Sequence, residues 1–383
     1  MDTQNTPIHL KLWHKDFWHI SLANFCLTTS VYMLLPPLPL YLQSRGIGLM
    51  FITCLFLFFA LGLYLCGPFI SRFVQQYRRN MVCLTAIALL LGILCYVYFI
   101  GVRPVWQALV FGYVFGCAFG LSKMTLSSTL IVDTCESFLR TEANHVSAWF
   151  ARMSLAIGPL LGYFIYPQWG FRMVMMVSGI FAAVSLWLIV TVHFPFKAPG
   201  DIIPRVSLDR FLLPQAAPLF FNLMLLTMAM GVIVRMQHSY IFYVEVLAGL
   251  FLAVLSEKYV FANAVLKSET FAGCLSLIAA LLLLLLRPEH AAHVLSGVLS
   301  GYGIGMIGSR FLLFFIKLAR HCERGTSQSS FFLSWETGLA FGMAIGSYFS
   351  VGLALQIALG LVAFSLVFYN YVVHSWYLSH KNR

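Results

Sequence analysis

Apolar runs long enough to cross a bilayer recur about every 32 residues along the 383-residue chain, with only short polar connections between them. A helix of about 20 residues spans the hydrocarbon layer, and in lipid each backbone N–H and C=O must find its partner within the same segment. Charged residues make up 10% of the chain and hydrophobic ones 60%, at a mean hydropathy of +0.86, too little charge to coat a soluble globule. The expected fold class is an all-α polytopic membrane protein with about twelve transmembrane helices. Spans are expected at 18–41, 47–71, 80–101, 104–132, 144–167 and 172–194, then at 216–235, 238–256, 269–286, 291–318, 328–349 and 351–373.

The longest connection, Phe196 to Pro214, carries Lys197, Asp201, Arg205, Asp209 and Arg210 and divides the chain. It implies an N-terminal six-helix bundle (1–195), a cytoplasmic linker (196–215) and a C-terminal six-helix bundle (216–383). A faint internal copy supports this division. Residues 116–136 recur 187 positions later, with Gly116 on Gly303, Ser122 on Ser309, Leu126 on Leu313, Cys135 on Cys322 and Glu136 on Glu323. In the same register Lys123 falls on Arg310, one cation deep inside each apolar run. Trp149 pairs with Trp335, and Asn24 with Asn222, so two pseudo-symmetric bundles are expected.

If the chain starts inside and alternates, sixteen of its 24 Lys and Arg lie on the cytoplasmic side and five outside. The remaining three, Lys123, Arg152 and Arg310, lie within spans. This bias places both termini in the cytoplasm and accounts for the net charge of +11 as topology, with no nucleic-acid partner. A bacterial inner membrane is the expected location. The first 17 residues are polar and basic, so no cleavable signal is expected. The nine cysteines are scattered, mostly inside apolar runs, so neither a disulfide, a metal site nor a cofactor is expected.

Several motifs together resemble the major facilitator superfamily. The run PPLPLYL at Pro36 is similar to the outer end of that family's first helix. Arg140, Ala143 and Asn144, then Gly158 to Gly162 and Trp169 to Arg172, resemble its fifth helix and the loop that follows. Gly158, Pro159 and Gly162 also resemble a motif of its proton antiporters, although uptake carriers share it. The loop after the second span matches the family signature in kind at Gly67, Arg72, Arg78 and Arg79. It departs from it at Ser71, where an Asp belongs, and at Val74, where a Gly belongs, as in a divergent branch.

The resemblance implies a fourth and a tenth helix lining a central cavity, with Lys123 and Arg310 facing one another across it. Lys123 lies ten residues before Asp133, about 15 Å along a helix and near mid-membrane. Two cations there favour an anionic substrate; the alternatives are internal pairing with Glu336 or snorkelling. Arg152, Asn24 and Asn222 join them as candidate substrate contacts, the asparagines equally as interhelical hydrogen bonders. Glu336 is the candidate proton-coupling residue, with Glu245 behind it. The rival for Glu336 is a permanent pair with Arg152 or Arg310. At the cytoplasmic face, Gly67, Arg72, Arg78, Arg79, Asp133, Glu136 and Arg140 are candidate gating residues, or else a solvated cluster. Gly158, Pro159 and Gly162 serve either helix packing or helix bending.

These features point to a non-enzymatic secondary transporter, monomeric in the bilayer, that moves a small molecule by alternating access. Proton coupling is expected, with export of a metabolite or drug favoured slightly over organic-anion uptake or exchange. The alternatives of another class are a non-transporting membrane sensor and a membrane-embedded enzyme acting on lipid-linked substrates. The chain has no GxxxxGK[ST] loop, so it carries no ATPase engine of its own.

Overall fold

A computed structural model of the chain describes residues 11–101, 105–136, 138–194, 204–262, 265–287 and 289–381. Its long helices are α1 (Lys15–Leu34), α2 (Leu49–Leu65), α3 (Arg79–Ile100) and α4 (Val105–Thr125). The helix Arg140–Val190 has two arms, α5 (140–169) and α6 (171–190). The second bundle comprises α7 (Ala217–Met236), α8 (Tyr240–Tyr259), α9 (Leu266–Leu286), α10 (His290–Leu318), α11 (Arg324–Tyr348) and α12 (Val351–Phe368). Lys197 and Asp201, expected in the linker, lie outside the described residues.

Among the described residues, ten helical stretches are long and apolar enough to cross a membrane. One of these is Arg140–Val190, which bends at Gly170, where φ is 76° and ψ 174°, and so supplies two spans. Such a φ is open to glycine at little steric cost. The twelfth helix is α11, which is too polar to be recognised from composition alone. Its Thr326, Ser327, Gln328, Ser329, Ser330 and Ser334 are buried against protein, and the hydroxyls of Ser327, Ser330 and Ser334 donate to backbone carbonyls. The near-absence of a loop before the last span is explained by Phe349 and Ser350, both extended, which reverse the chain between α11 and α12.

Within the first bundle α1 packs on α5 and α2 on α4; within the second, α7 packs on α11 and α8 on α10. The two most extensive contacts between the bundles are α2 with α11 and α5 with α8, and each becomes the other when the bundles are exchanged. The backbones approach through glycines that form two matching ladders. On α4, Gly112, Gly116 and Gly120 lie against the backbone of Leu55, Phe59 and Leu63. On α10, Gly297, Gly301 and Gly305 lie against Phe242, Val246 and the Leu250 and Ala253 side chains. The α2 and α8 positions are 187 apart, as the internal copy predicts, but the α4 and α10 glycines are 185 apart.

This two-residue difference corrects the expected pairing of Lys123 with Arg310. Packing sets Lys123 equivalent to Gly308. Two residues are about 200° of helix, so Arg310 points to the other side of α10.

The ladder makes a stability prediction. A Cβ at Gly116 would overlap the Phe59 carbonyl oxygen, whereas one at Gly92 meets nothing within 4 Å. Gly116→Ala is expected to cost about 1–3 kcal/mol by overpacking, and Gly92→Ala to be neutral or stabilising by about 0.5 kcal/mol. Thermal unfolding midpoints in one detergent check both.

Candidate functional site

A cavity of about 50 Å³ lies between the bundles at mid-depth. From the first bundle it is lined by Asn24, Thr28 and Tyr32 of α1, by Lys123 and Ser127, and by Asn144, Ser147 and Arg152 of α5. From the second it is lined by Gln328, Phe331, Phe332, Trp335 and Glu336 of α11. Lys123, Arg152 and Glu336 are 5%, 3% and 3% exposed, so each charge depends on what surrounds it within the protein.

Lys123 sits where α4 gives way to a π-helical turn, Leu126–Leu130. Such turns break the regular ladder and recur at functional sites. The Lys123 ammonium donates to Asn24 Oδ1 and, at 2.6 Å, to Thr28 Oγ1. Asn24 in turn donates through Nδ2 to the Ser147 carbonyl (3.0 Å) and hydroxyl (2.9 Å) of α5. Every one of these partners is neutral, and no carboxylate forms an ion pair with Lys123 among the described residues.

Arg152 occupies the space that Gly308 leaves on α10. A Cβ at Gly308 would lie 2.8 Å from Arg152 Cδ and 2.8 Å from Trp335 Cζ3. The guanidinium stacks on Trp149 at 4.0 Å and donates from Nη1 to the Gly305 carbonyl at 3.2 Å. Its Nη2 is buried without a partner, as are Gln328 Nε2 and both amide atoms of Asn144 on the same cavity wall.

Glu336 accepts a 2.6 Å hydrogen bond from the Tyr32 hydroxyl, which itself accepts one from Trp335 Nε1 at 3.2 Å. Both Tyr32 and Glu336 also line a second, apolar chamber of about 20 Å³ with Leu35, Pro36, Phe59, Pro159 and Met343. Tyr32 and Glu336 thus line both chambers, and their hydrogen bond joins the two bundles. The alternative in which Glu336 is permanently paired to Arg152 or Arg310 does not match this geometry.

Other candidates lie elsewhere. Arg310 is bound to Glu269 of α9, through Nε to Oε2 at 2.6 Å and through a second, shorter contact. Asn222 donates to the Ser365 carbonyl at 2.9 Å and ties α7 to α12. Glu245 lies against Gly297 of α10. None of the three lines the central cavity. Gly158 and Gly162 bring α5 against the Tyr32 and Met33 backbone, which is the packing role, and Pro159 faces the apolar chamber.

On the face that carries the linker, Arg79 pairs with Asp133. Arg72 turns to Gln76 at 3.3 Å, and Arg78 and Glu136 form no ion pair among the described residues. Gly67 is covered by the Phe211 ring of the linker. Ser71, where the family signature has an acid, donates to Asp209 of the linker at 3.2 Å.

A second cluster escaped the sequence reading. Glu257 of α8 accepts from Ser309 Oγ of α10 at 2.6 Å and from Trp149 Nε1 of α5 at 3.3 Å. His145 of α5 lies 3.0 Å from the same carboxylate and 2.7 Å from the Ser309 hydroxyl. The cluster bridges the bundles beside Arg152. The available signal was Ser309 and Trp149 within the repeat; Glu257 was placed one residue outside its span.

Residues 20–256 match the family model of the Major Facilitator Superfamily. The chain belongs to that superfamily. Superfamily members are transporters, and the protein is accordingly an integral membrane transporter with a small-molecule substrate. No curated protein matches it in sequence. Among solved structures it is similar to the nucleoside transporter NupG, with a TM-score of 0.64, 13% identity and coverage of 96% of this chain and 100% of that one. It is similar to a bacterial homologue of the iron transporter ferroportin in an outward-facing state, with a TM-score of 0.64, 14% identity and coverage of 94% and 99%. It is also similar to the human organic anion transporter MFSD10, with a TM-score of 0.68, 14% identity and coverage of 92% and 98%. At these identities the likeness shows the shared fold.

The Arg310–Glu269 pair predicts a structural phenotype. Arg310→Met leaves a buried carboxylate uncompensated and is expected to destabilise by about 3–5 kcal/mol, much of which the added Glu269→Gln change restores. Thermal unfolding of the single and double variants measures this. An Arg310→Met protein as stable as the parent would contradict the pairing.

Proposed function

We propose that the chain moves a small organic anion by alternating access, recognising it with Lys123 and Arg152. The observation that carries this reading is a buried cavity whose two cations form no ion pair among the described residues and whose walls hold further donors without a partner there, on Arg152, Gln328 and Asn144. Buried donors without acceptors are costly, and an entering carboxylate or phosphate oxygen would satisfy them. The aromatic rings of Phe331, Phe332 and Trp335 supply an apolar wall for the rest of such a molecule. A cationic drug would meet two like charges instead.

Glu336 is the proposed proton site. An anion seated between Lys123 and Arg152 offsets their charge and makes neutralising Glu336 less costly, so anion and proton are favoured together. The coupling is reciprocal: a protonated Glu336 strengthens anion binding by the same factor. Protonation also changes the bond to Tyr32 that joins the two bundles, which links the proton to movement between them. This sign favours symport of anion and proton over the antiport that the Gly158–Gly162 motif suggested.

A thermal-shift screen of anionic metabolites against cationic drugs identifies the ligand, and proteoliposomes then test the roles. Lys123→Gln and Arg152→Gln are each expected to raise KM for that anion about 10–100-fold, the loss of one charge-assisted hydrogen bond. Glu336→Gln is expected to abolish accumulation driven by a pH gradient while counterflow persists. If only cations stabilise the protein, or both cation variants transport the anion normally, the reading fails.

A further inference from the structure

A separate cavity of about 260 Å³ opens where the linker meets α4, α5 and α11. Its wall carries four guanidinium groups, Arg79, Arg140, Arg210 and Arg324, against two carboxylates, Asp133 and Asp209. The formal balance leaves two positive charges in excess. Asp133 is taken up by Arg79. Asp209 is divided among the Ser71 hydroxyl (3.2 Å), the Thr326 hydroxyl (3.1 Å) and Arg210 Nε (3.5 Å). Arg140 and Arg324 form no ion pair among the described residues, and Arg140 Nε is buried with no partner.

The backbone at Arg210 is an independent sign of a built site. Its φ is 59°, the left-handed region that a non-glycine residue occupies at a cost of about 1 kcal/mol or more. Two side chains of α11 hold the turn: Thr326 Oγ1 accepts from the Arg210 N–H at 2.8 Å, and Ser330 Oγ accepts from the Leu213 N–H at 2.7 Å. Among the described residues, the guanidinium so placed makes one long contact, to Thr129 Oγ1 at 3.4 Å, besides Asp209. Burial, and then the neighbouring Arg79, push the Arg210 pKa down from its ordinary value, against the opposing pull of Asp209 and Asp133.

We infer that this cavity binds a phosphate-bearing anion. Planar guanidinium groups match phosphate oxygens two at a time, and the Ser128, Thr129 and Thr326 hydroxyls are placed on the same wall. The phosphate belongs either to a free diphosphate or to a phospholipid headgroup, which present the same oxygens. Arg79, Arg140 and Thr129 come from the first bundle, Arg324 and Thr326 from the second, and Arg210 from the linker. A bound anion therefore clamps all three and favours the state in which this face is closed. The inference rests on none of the groups proposed to hold the transported substrate.

Cys322 lines this cavity and is exposed, so its thiol reports on the site, and glutathione added to the same sample provides a reference thiol in water. Full-length protein in detergent is treated with N-ethylmaleimide at constant ionic strength, with or without inorganic pyrophosphate, and each thiol is followed by mass spectrometry. At about ten times its Kd, pyrophosphate is expected to slow Cys322 modification about tenfold and leave glutathione modification unchanged. Arg210→Gln and, separately, Arg140→Gln are expected to remove most of that protection. Arg140 Nε has no partner to lose, so its variant keeps the test valid if Arg210→Gln fails to fold. Protection seen only in nanodiscs containing phosphatidic acid, and not in phosphatidylcholine alone, assigns the headgroup as the source. Absence of protection in both settings, or equal protection in the Arg140→Gln variant, overturns the inference.

Discussion

A charge without water or a counter-charge is expensive inside a membrane protein, and the placement of the buried ionisable groups follows from that cost. Arg310 meets Glu269 and Glu257 meets His145, each pair closed by short contacts between helices. Lys123 and Arg152 form no ion pair among the described residues and instead line a cavity, beside amides, hydroxyls and an indole ring. The charges thus sort themselves. Arg310, matched by Glu269, holds two helices together, whereas Lys123 and Arg152 meet neutral groups on the cavity wall.

The scaffold beneath this sorting is nearly symmetric, but the chemistry is not. Glycines on α4 and α10 repeat in step and draw each helix against its neighbour through backbone contact. At the next step of the ladder the symmetry breaks, with Lys123 on one side and Gly308 on the other. The first bundle fills the vacancy with Arg152 from α5. Both cations of the cavity therefore come from the first bundle, while the second contributes Glu336, Gln328 and the aromatic wall. A ligand held between them bridges two dissimilar surfaces.

The linker completes the arrangement at one face. Phe211 covers Gly67, Ser207 donates its N–H to the Pro68 carbonyl, and Asp209 reaches both Ser71 and Thr326. The acid that the family signature carries at position 71 is thus supplied from a distance by the linker. At the opposite face Tyr163 of α5 stacks on Tyr243 of α8 at 5.8 Å, and Phe164 meets Tyr240 edge-on. The two bundles thus touch at both faces, on either side of the central cavity.

Hydrophobic run length alone determined a polytopic helical membrane protein and its approximate spans, because lipid imposes these on any chain that crosses it. Lys123, Arg152 and Glu336 were also legible, since a charge within an apolar run stands out. Which of those charges share a cavity was decided only in three dimensions. A two-residue slip in register is invisible among a few chance identities, yet it turns a side chain through more than half a helical revolution. Arg310 therefore belongs to Glu269, Gly308 stands opposite Lys123, and Arg152 fills the gap. The clusters of Glu257 with His145 and of Asp209 with Ser71 join residues 112 and 138 positions apart. Their members read as ordinary polar residues at span ends until packing brings them together.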